Sequence, residues 1–332
     1  MILAGIDIGT NTLRLLIADV GPGSFREINS DRRITRLGQN LDQNGMLSPE
    51  AEERSLEALA DFQEQLRQEG ACHVSSIGTS ALRNAANAAS FIERVEQETG
   101  LAIRVVSGEE EARLTLLGVA QLLPEGGPAA HGKSLLASAL VIDIGGGSTE
   151  IIITHPRHKP AIASLPLGAV YLTDRFIKHD PPLPEELTSL RRRVADELDA
   201  YTGTILFTPP SMCIGTAGTI TTLAAIDQGL AVYDPGKING AVLTGDFIDG
   251  IVPRLGALSL CSRRAIPGLE PGREDIILAG AIVAQEIMRR FQCTSMLVSD
   301  GGLREGIVLD LYETWREEMP HLGRDLFPDS KR

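Results

Sequence analysis

The chain has 332 residues and a formal net charge of −13, and it is 43% hydrophobic but only 4% aromatic. That length predicts two domains, each apolar enough to bury a core of its own. The acidic balance excludes a general DNA or RNA binder, which needs basic faces to displace counterions, and so few aromatics exclude a base-stacking platform.

In chain order, Ile2 to Ile8 and Leu13 to Val20 are apolar runs separated by Gly9-Thr10-Asn11-Thr12, the pattern of a β-hairpin. The opening MILAGIDIG has no basic stretch and meets Asp7 at once, so no signal peptide is expected. No apolar run reaches membrane-spanning length, and a cytoplasmic location is expected. Phe25 to Leu37 continues as mixed strand. Ser48-Pro49-Glu50 then opens a helix, with Ser at the N-cap, Pro in the first turn and Gly70 past the end. Val74 to Ile77 reads as a strand, followed by a helix that closes at Gly100. Ile103 to Val106 is a strand, and SGEEEARLTLLGVAQLL after it is a helix with an acidic first turn. PEGGPAAHGK (124–133) is the most linker-like segment.

After it the pattern restarts. Leu136 to Ile144 and Glu150 to Ile153 flank a Gly145-Gly146-Gly147-Ser148 turn. Leu183 to Tyr201 is a helix, Met212 to Ile214 a strand leading into a glycine turn and helix, Arg273 to Phe291 a long helix, and 297–312 strand, turn and helix again. Strands alternating with helices make this an α/β protein. Both halves open with one phrase, AGIDIGTNTL and VIDIGGGSTE, with Asp7 and Asp143 in register. The echo predicts a duplicated domain with a cleft between the copies. The expected division is 1–125, 126–312 and a polar tail over 313–332. Cys72, Cys213, Cys261 and Cys293 form no C-x-x-C pair and read as buried thiols of a reducing compartment.

The two turns carry the chemistry. Glycine permits positive φ and a close ligand approach, so that successive N–H groups can face one anion such as phosphate. Thr10, Thr12, Ser148 and Thr149 add hydroxyl donors. Asp7 and Asp143 end their strands where a carboxylate could hold Mg²⁺ directly or through water. One such turn alone reads more readily as an ordinary hairpin; two matching turns, one per half, point to a shared ligand. Glu109, Glu110 and Glu111 sit in a helix's first turn, where the helix dipole favours acids. Arg14, Arg83 and Arg304 follow turns, and guanidinium forks match phosphate oxygens. A local arginine cluster with a divalent metal can admit a polyanion to an acidic protein. Arg83, Arg14, Arg263, Arg264, Arg273 and Arg304 are the candidate track for a long one.

These turns resemble the phosphate-1 and phosphate-2 loops of the actin, Hsp70 and sugar-kinase superfamily. The chain also carries GTSALRNAAN (78–87), SGEEEAR (107–113), GTAGTITTLA (215–224), IPGLEPGREDIILAGA (266–281) and SDGGLREG (299–306). With these it resembles the exopolyphosphatase and guanosine-pentaphosphate phosphohydrolase (Ppx/GppA) family in its short, two-domain form. The resemblance implies two actin-like (ribonuclease H-like) domains around an interdomain cleft, and a homodimer. It implies that Glu111 activates the attacking water, that Glu150 partners the metal or the water, and that Arg83 acts at the active site. Gly9, Thr10, Asn11 and Thr12 with Gly145, Gly146, Gly147 and Ser148 would hold phosphate, and Asp7, Asp143 and Glu150 the Mg²⁺, with K⁺ or another monovalent cation as an addition. The substrate implied is inorganic polyphosphate, with guanosine pentaphosphate or a non-catalytic sensor of the same fold as alternatives. A sugar kinase of the type with a zinc-binding cysteine cluster is disfavoured, since the chain has no such cluster.

Overall fold

A computed structural model describes residues 1–123, 138–204 and 209–318. The first strands, β1 (Ile2–Ile8), β2 (Thr12–Gly21) and β3 (Ser24–Ile34), form an antiparallel meander. The short helix α1 (Leu41–Asn44) and the long α2 (Pro49–Glu69) follow, then β4 (His73–Gly78), α3 (Ser80–Asn84), α4 (Ala88–Thr99), β5 (Ile103–Val105) and α5 (Gly108–Leu122). Strand β4 pairs parallel with β1 and β5 with β4, which gives the order β3-β2-β1-β4-β5. Helix α2 shows why sequence sets its limits. Ser48 accepts from the Ala51 amide, Pro49 needs no donor at the first helical position, and Gly70 closes the helix at φ 67°.

The second unit comprises β6 (Ala139–Ile144), β7 (Thr149–His155), β8 (His158–Leu165), α6 (Ala169–Phe176), α7 (Pro184–Thr202), β9 (Met212–Thr216), α8 (Ala217–Asp227), α9 (Pro235–Ile238), β10 (Val242–Thr244), α10 (Gly245–Ala257), α11 (Leu260–Arg263), α12 (Ile277–Arg290), β11 (Ser295–Val298) and α13 (Leu303–Glu318). Its sheet runs β10-β11-β9-β6-β7-β8. The run β8-β7-β6-β9-β11 repeats the first sheet's order, with β10 added at the edge. The duplication read from two hairpins thus extends through both sheets.

Several expectations are corrected. Helix α12 begins at Ile277, and Arg273 lies before it, in the turn. Helix α13 crosses the expected boundary at 312 and continues to Glu318. Its Val308 and Tyr312 pack with Leu3, Leu16 and Val20, so the last helix covers the first sheet. Cys261 is exposed, as is Cys72; Cys213 is buried and Cys293 half-buried, and all four are free thiols. The linker at 124–133 and residues 319–332 lie outside the described residues. No helix among the described residues is long and apolar enough to cross a membrane.

Candidate active site

The two hairpin turns are built alike. Gly9 N–H donates to Thr12 O at 3.2 Å, and Gly145 N–H to Ser148 O at 3.0 Å. Each turn folds back on itself this way, and the amides of Thr10, Asn11, Gly146 and Gly147 donate to no protein acceptor among the described residues. All four residues line one cleft between the units, and the Thr10 hydroxyl beside them is buried without a partner. Uncommitted donors converging from two sides form an anion cradle.

The glycines earn their place differently from the sequence expectation. None of Gly145, Gly146 and Gly147 has positive φ. Their backbone is approached too closely for side chains. A Cβ on Gly146 would lie 3.0 Å from Thr10 Cβ, and one on Gly147 would lie 2.5 Å from Ser80 Oγ. The first turn of α6 then takes the loop's carbonyls, with Ala169 N–H on Gly145 O and Val170 N–H on Gly146 O. The carbonyls are thereby drawn out of the cleft.

Strand register places the carboxylates. Asp7 pairs with Arg14 across β1 and β2, and Asp143 with Glu150 across β6 and β7, so Glu150 occupies the position that Arg14 holds in the other half. Asp7 and Asp143 both line the cleft. Burial pushes Asp7 up to about 7, against the pull of Arg14 and with Asp143 and Glu305 adding to the rise. Asp143 is raised by burial, against Arg14 and the hydrogen bond from Thr115 Oγ at 3.2 Å. Thr115 stands one turn beyond Glu111 on α5. Glu111 lines the cleft only 7% exposed, and its carboxylate accepts from Arg83 at 2.5 Å. Burial pushes it up to about 7 despite Arg83, and Asp143 and Asp7 push in the same direction. Arg83 itself stands behind Glu111, where it also donates to Val106 O at 3.0 Å, and does not line the cleft.

Glu150 does not reach the cleft lining either. One of its oxygens accepts from both Ser148 Oγ at 2.8 Å and Ser164 Oγ at 2.7 Å. Burial raises its pKa well above the usual range, with Glu111 and Asp143 adding to the rise. Ser164 on β8 and Thr115 were invisible to sequence reasoning, because Ser164 acts through Glu150 on the neighbouring strand β7 and Thr115 through Asp143 of the other half. Among the described residues no group of three or more His, Cys, Asp or Glu side chains is spaced to hold a metal. A three-carboxylate cage of Asp7, Asp143 and Glu150 is therefore not formed. Two carboxylates facing a phosphate cradle do suit Mg²⁺, which keeps several waters and takes one or two carboxylates with substrate phosphates.

The structure adds a third turn, Ala217-Gly218-Thr219 at the end of β9, and brings Arg273 of the expected arginine track to the cleft. A Cβ on Gly218 would run into the Arg273 guanidinium, which reaches Thr12 Oγ at 3.5 Å and Glu270 at 2.5 Å. The GTAGT phrase repeats the strand–glycine–hydroxyl pattern of the other two turns, a signal that would have found it. Arg263 is buried on backbone carbonyls of Leu255 and Glu274, and Arg264 pairs with Glu274; neither lines the cleft.

Two copies of one α/β domain, closing glycine-bearing turns and buried carboxylates on a shared cleft, define a phosphate-handling protein of the actin-like class. Within that class, the chain belongs to the Ppx/GppA phosphatase family, which it matches over residues 16–314. It is 35% identical over 322 residues to "Exopolyphosphatase 2" of Mycobacterium tuberculosis, an alignment that covers 93% of this chain and 98% of that one. The crystal structure of the Aquifex aeolicus Ppx/GppA family member superposes with a TM-score of 0.76 at 34% identity, covering 96% of this chain and 98% of that one. An exopolyphosphatase from Cytophaga hutchinsonii superposes at 0.84 with 27% identity, covering 95% and 98%.

Proposed function

We propose that this protein is an exopolyphosphatase, which hydrolyses the terminal phosphate of inorganic polyphosphate. One observation carries the reading. Glu111, raised to about 7, lies in the same cleft as the anion cradle. A carboxylate of that pKa is ionised in useful proportion at neutral pH, yet basic enough to take a proton from water, and general bases work best in this range.

The cradle amides would donate to the terminal phosphoryl oxygens, and they keep their orientation without reorganising as charge develops. Glu111 would orient and deprotonate the attacking water in line with the leaving chain. Arg83 fixes the carboxylate that does so. Asp7 and Asp143 would hold Mg²⁺, whose charge offsets that of the phosphoryl oxygens when it is bound. Without a cation these carboxylates repel the substrate.

The test is phosphate release from triphosphate, long-chain polyphosphate and guanosine pentaphosphate, side by side. Polyphosphate should give the highest kcat/KM, and excess chelator should abolish turnover. Glu111→Gln should lower kcat by about 10²–10⁴ with little change in KM. Guanosine pentaphosphate as the best substrate would overturn the assignment, and a fully active Glu111→Gln would remove Glu111 from the chemistry.

A further inference from the structure

Two thiols that the hydrolysis does not use lie together in the second unit. Cys213 is on β9, directly before Ile214, which pairs with Leu297 of β11, and Cys293 stands two residues before β11 begins. Cys213 is a core residue, 5% exposed, and the half-buried Cys293 packs against the same core. The two thiols hydrogen-bond, and the Cys293 thiol also reaches Phe291 O at 3.7 Å. Cys72 and Cys261 stand exposed elsewhere. The pair is chemically asymmetric. The hydrogen bond from the Cys213 thiol lowers the pKa of Cys293, against burial. The same bond, with burial and the Cys293 charge, raises Cys213 well above the usual thiol range. The thiolate is the reactive form of cysteine, so the more exposed Cys293 reacts first and Cys213 is placed to resolve it.

Both thiols sit at the far ends of elements whose near ends reach the cleft. Strand β9 runs from Cys213 into the turn Ala217-Gly218-Thr219, and α12 starts directly after Ile276, which lines the cleft with Arg273. At its other end α12 is closed by Cys293, whose N–H donates to Met288 O at 2.8 Å, with Gln292 between them at φ 56°. A pull on Cys293 is therefore a pull on the end of α12. The helix in turn packs on the third turn, where a Cβ on Gly280 would lie 2.5 Å from Thr219 Cγ2. Closely packed elements move together, because there is no void to absorb a shift.

We propose that Cys213 and Cys293 form a reversible redox switch, closed to a disulfide by hydrogen peroxide, that weakens the cleft by displacing its third turn. The Cys293 thiolate attacks one peroxide oxygen and the O–O bond breaks. The departing hydroxide takes up the thiol's proton as water and leaves Cys293 as a sulfenic acid. The Cys213 sulfur then attacks the Cys293 sulfur, the S–O bond breaks, and the hydroxyl leaves with the Cys213 proton as a second water. Each sulfur gives up one electron and the peroxide takes both. A dithiol reductant reverses the step by exchange. An S–S bond is only about 2.05 Å long, shorter than the contact of two hydrogen-bonded thiols, so closure draws β9 and the end of α12 together. In a reducing compartment such a disulfide is transient, as a sensor requires.

The test treats the full chain with hydrogen peroxide, blocks the remaining thiols and maps the peptides by mass. Cys213 and Cys293 should be recovered joined. A 1 Å misplacement in a site can cost on the order of 10²-fold, and a turn remote from Glu111 should cost less, so kcat/KM for triphosphate should fall by about 3- to 10-fold. Dithiothreitol should restore it. Cys293→Ser should keep the parent's activity and lose both responses, whereas a double variant with Cys72→Ser and Cys261→Ser should keep both. Cys293 carried on to sulfinic acid while Cys213 stays a thiol would overturn the switch. So would a disulfide that leaves activity unchanged, or a loss of activity that persists in Cys293→Ser. The joined peptide is read by mass whatever the substrate, and its absence leaves an active parent's proposed function standing. An untreated parent that releases no phosphate would overturn that function instead, and calorimetric binding of triphosphate to the reduced and oxidised chains would still read the switch.

Discussion

Glu111 shows how one residue can carry opposing demands. Arg83 stabilises its charged form at 2.5 Å, yet burial and the neighbouring Asp143 and Asp7 outweigh that and leave it raised to about 7. The same imbalance has a consequence for stability. An exposed glutamate ionises near 4.5, so the folded chain holds this proton more tightly than the unfolded chain does. The stability gained is full below about pH 4.5 and is lost as pH rises through about 7. Glu111→Gln cannot ionise and escapes that loss. The melting temperature of the variant minus that of the parent should therefore increase between about pH 5 and about pH 8. A difference that stays flat would mean that the folded carboxyl ionises as an exposed one does. Side chains of this kind are only half legible in sequence. The acidic first turn of α5 is plain, but three consecutive glutamates give no sign of which faces inward. Glu110 instead pairs with Arg104 near the surface. Glu150 is a similar case, since its register opposite Asp143 follows from the hairpin while its two serine donors come from folding.

At the scale of elements, legibility follows local chemistry. Caps, prolines and closing glycines placed α2 and α4, and apolar runs placed the central strands. The edge strands β8 and β10 were missed because they lack such runs. The strand β8, HKPAIASL, buries no residue fully, and β10 has three residues with Val242 exposed. The positive φ expected of the second turn's glycines does not occur, and the close approach of Thr10 and Ser80 to them is a tertiary fact. Ala217 inverts that lesson. It opens α8 at φ 67°, a left-handed conformation with no glycine to signal it. A non-glycine residue there costs about 1–3 kcal/mol and such strain clusters at functional turns. Ala217→Gly should relieve it, offset in part by about 0.4–1 kcal/mol of added freedom in the unfolded chain. The expected net outcome in a thermal melt is a Tm higher by roughly 2 °C. An unchanged or lower Tm would show that the turn is held without strain.

For the whole molecule, the repeat in sequence announced two similar halves but not how they hold each other. The helices α5 and α13 cross so closely that a Cβ on Gly118 would run into Gly302 O, and one on Gly306 into Leu114 O. On another side a polar clasp spans the units. Arg36 binds both oxygens of Asp275, at 2.7 and 3.1 Å, and donates to Gly272 O at 3.0 Å, across a separation of 239 residues. Asn40 N–H on Asp174 at 2.9 Å and Arg175 on Asp42 at 3.3 Å continue it. No local signal marks contacts of such range. The cleft is lined from both halves, so a clasp across them would oppose their opening. A half-exposed ion pair contributes about 1 kcal/mol or less, too little to decide whether the domains fold. It is enough to change the closed population several-fold, and apparent affinity falls with the population of the competent state. Arg36→Gln should therefore raise KM by up to about fivefold for triphosphate and long-chain polyphosphate alike, with kcat within about twofold of the parent. Small-angle scattering should show a larger radius of gyration for the free variant, reversed when substrate binds. If KM held while Tm dropped, Arg36 would be a structural strut, and closure would be governed by the helix crossing alone.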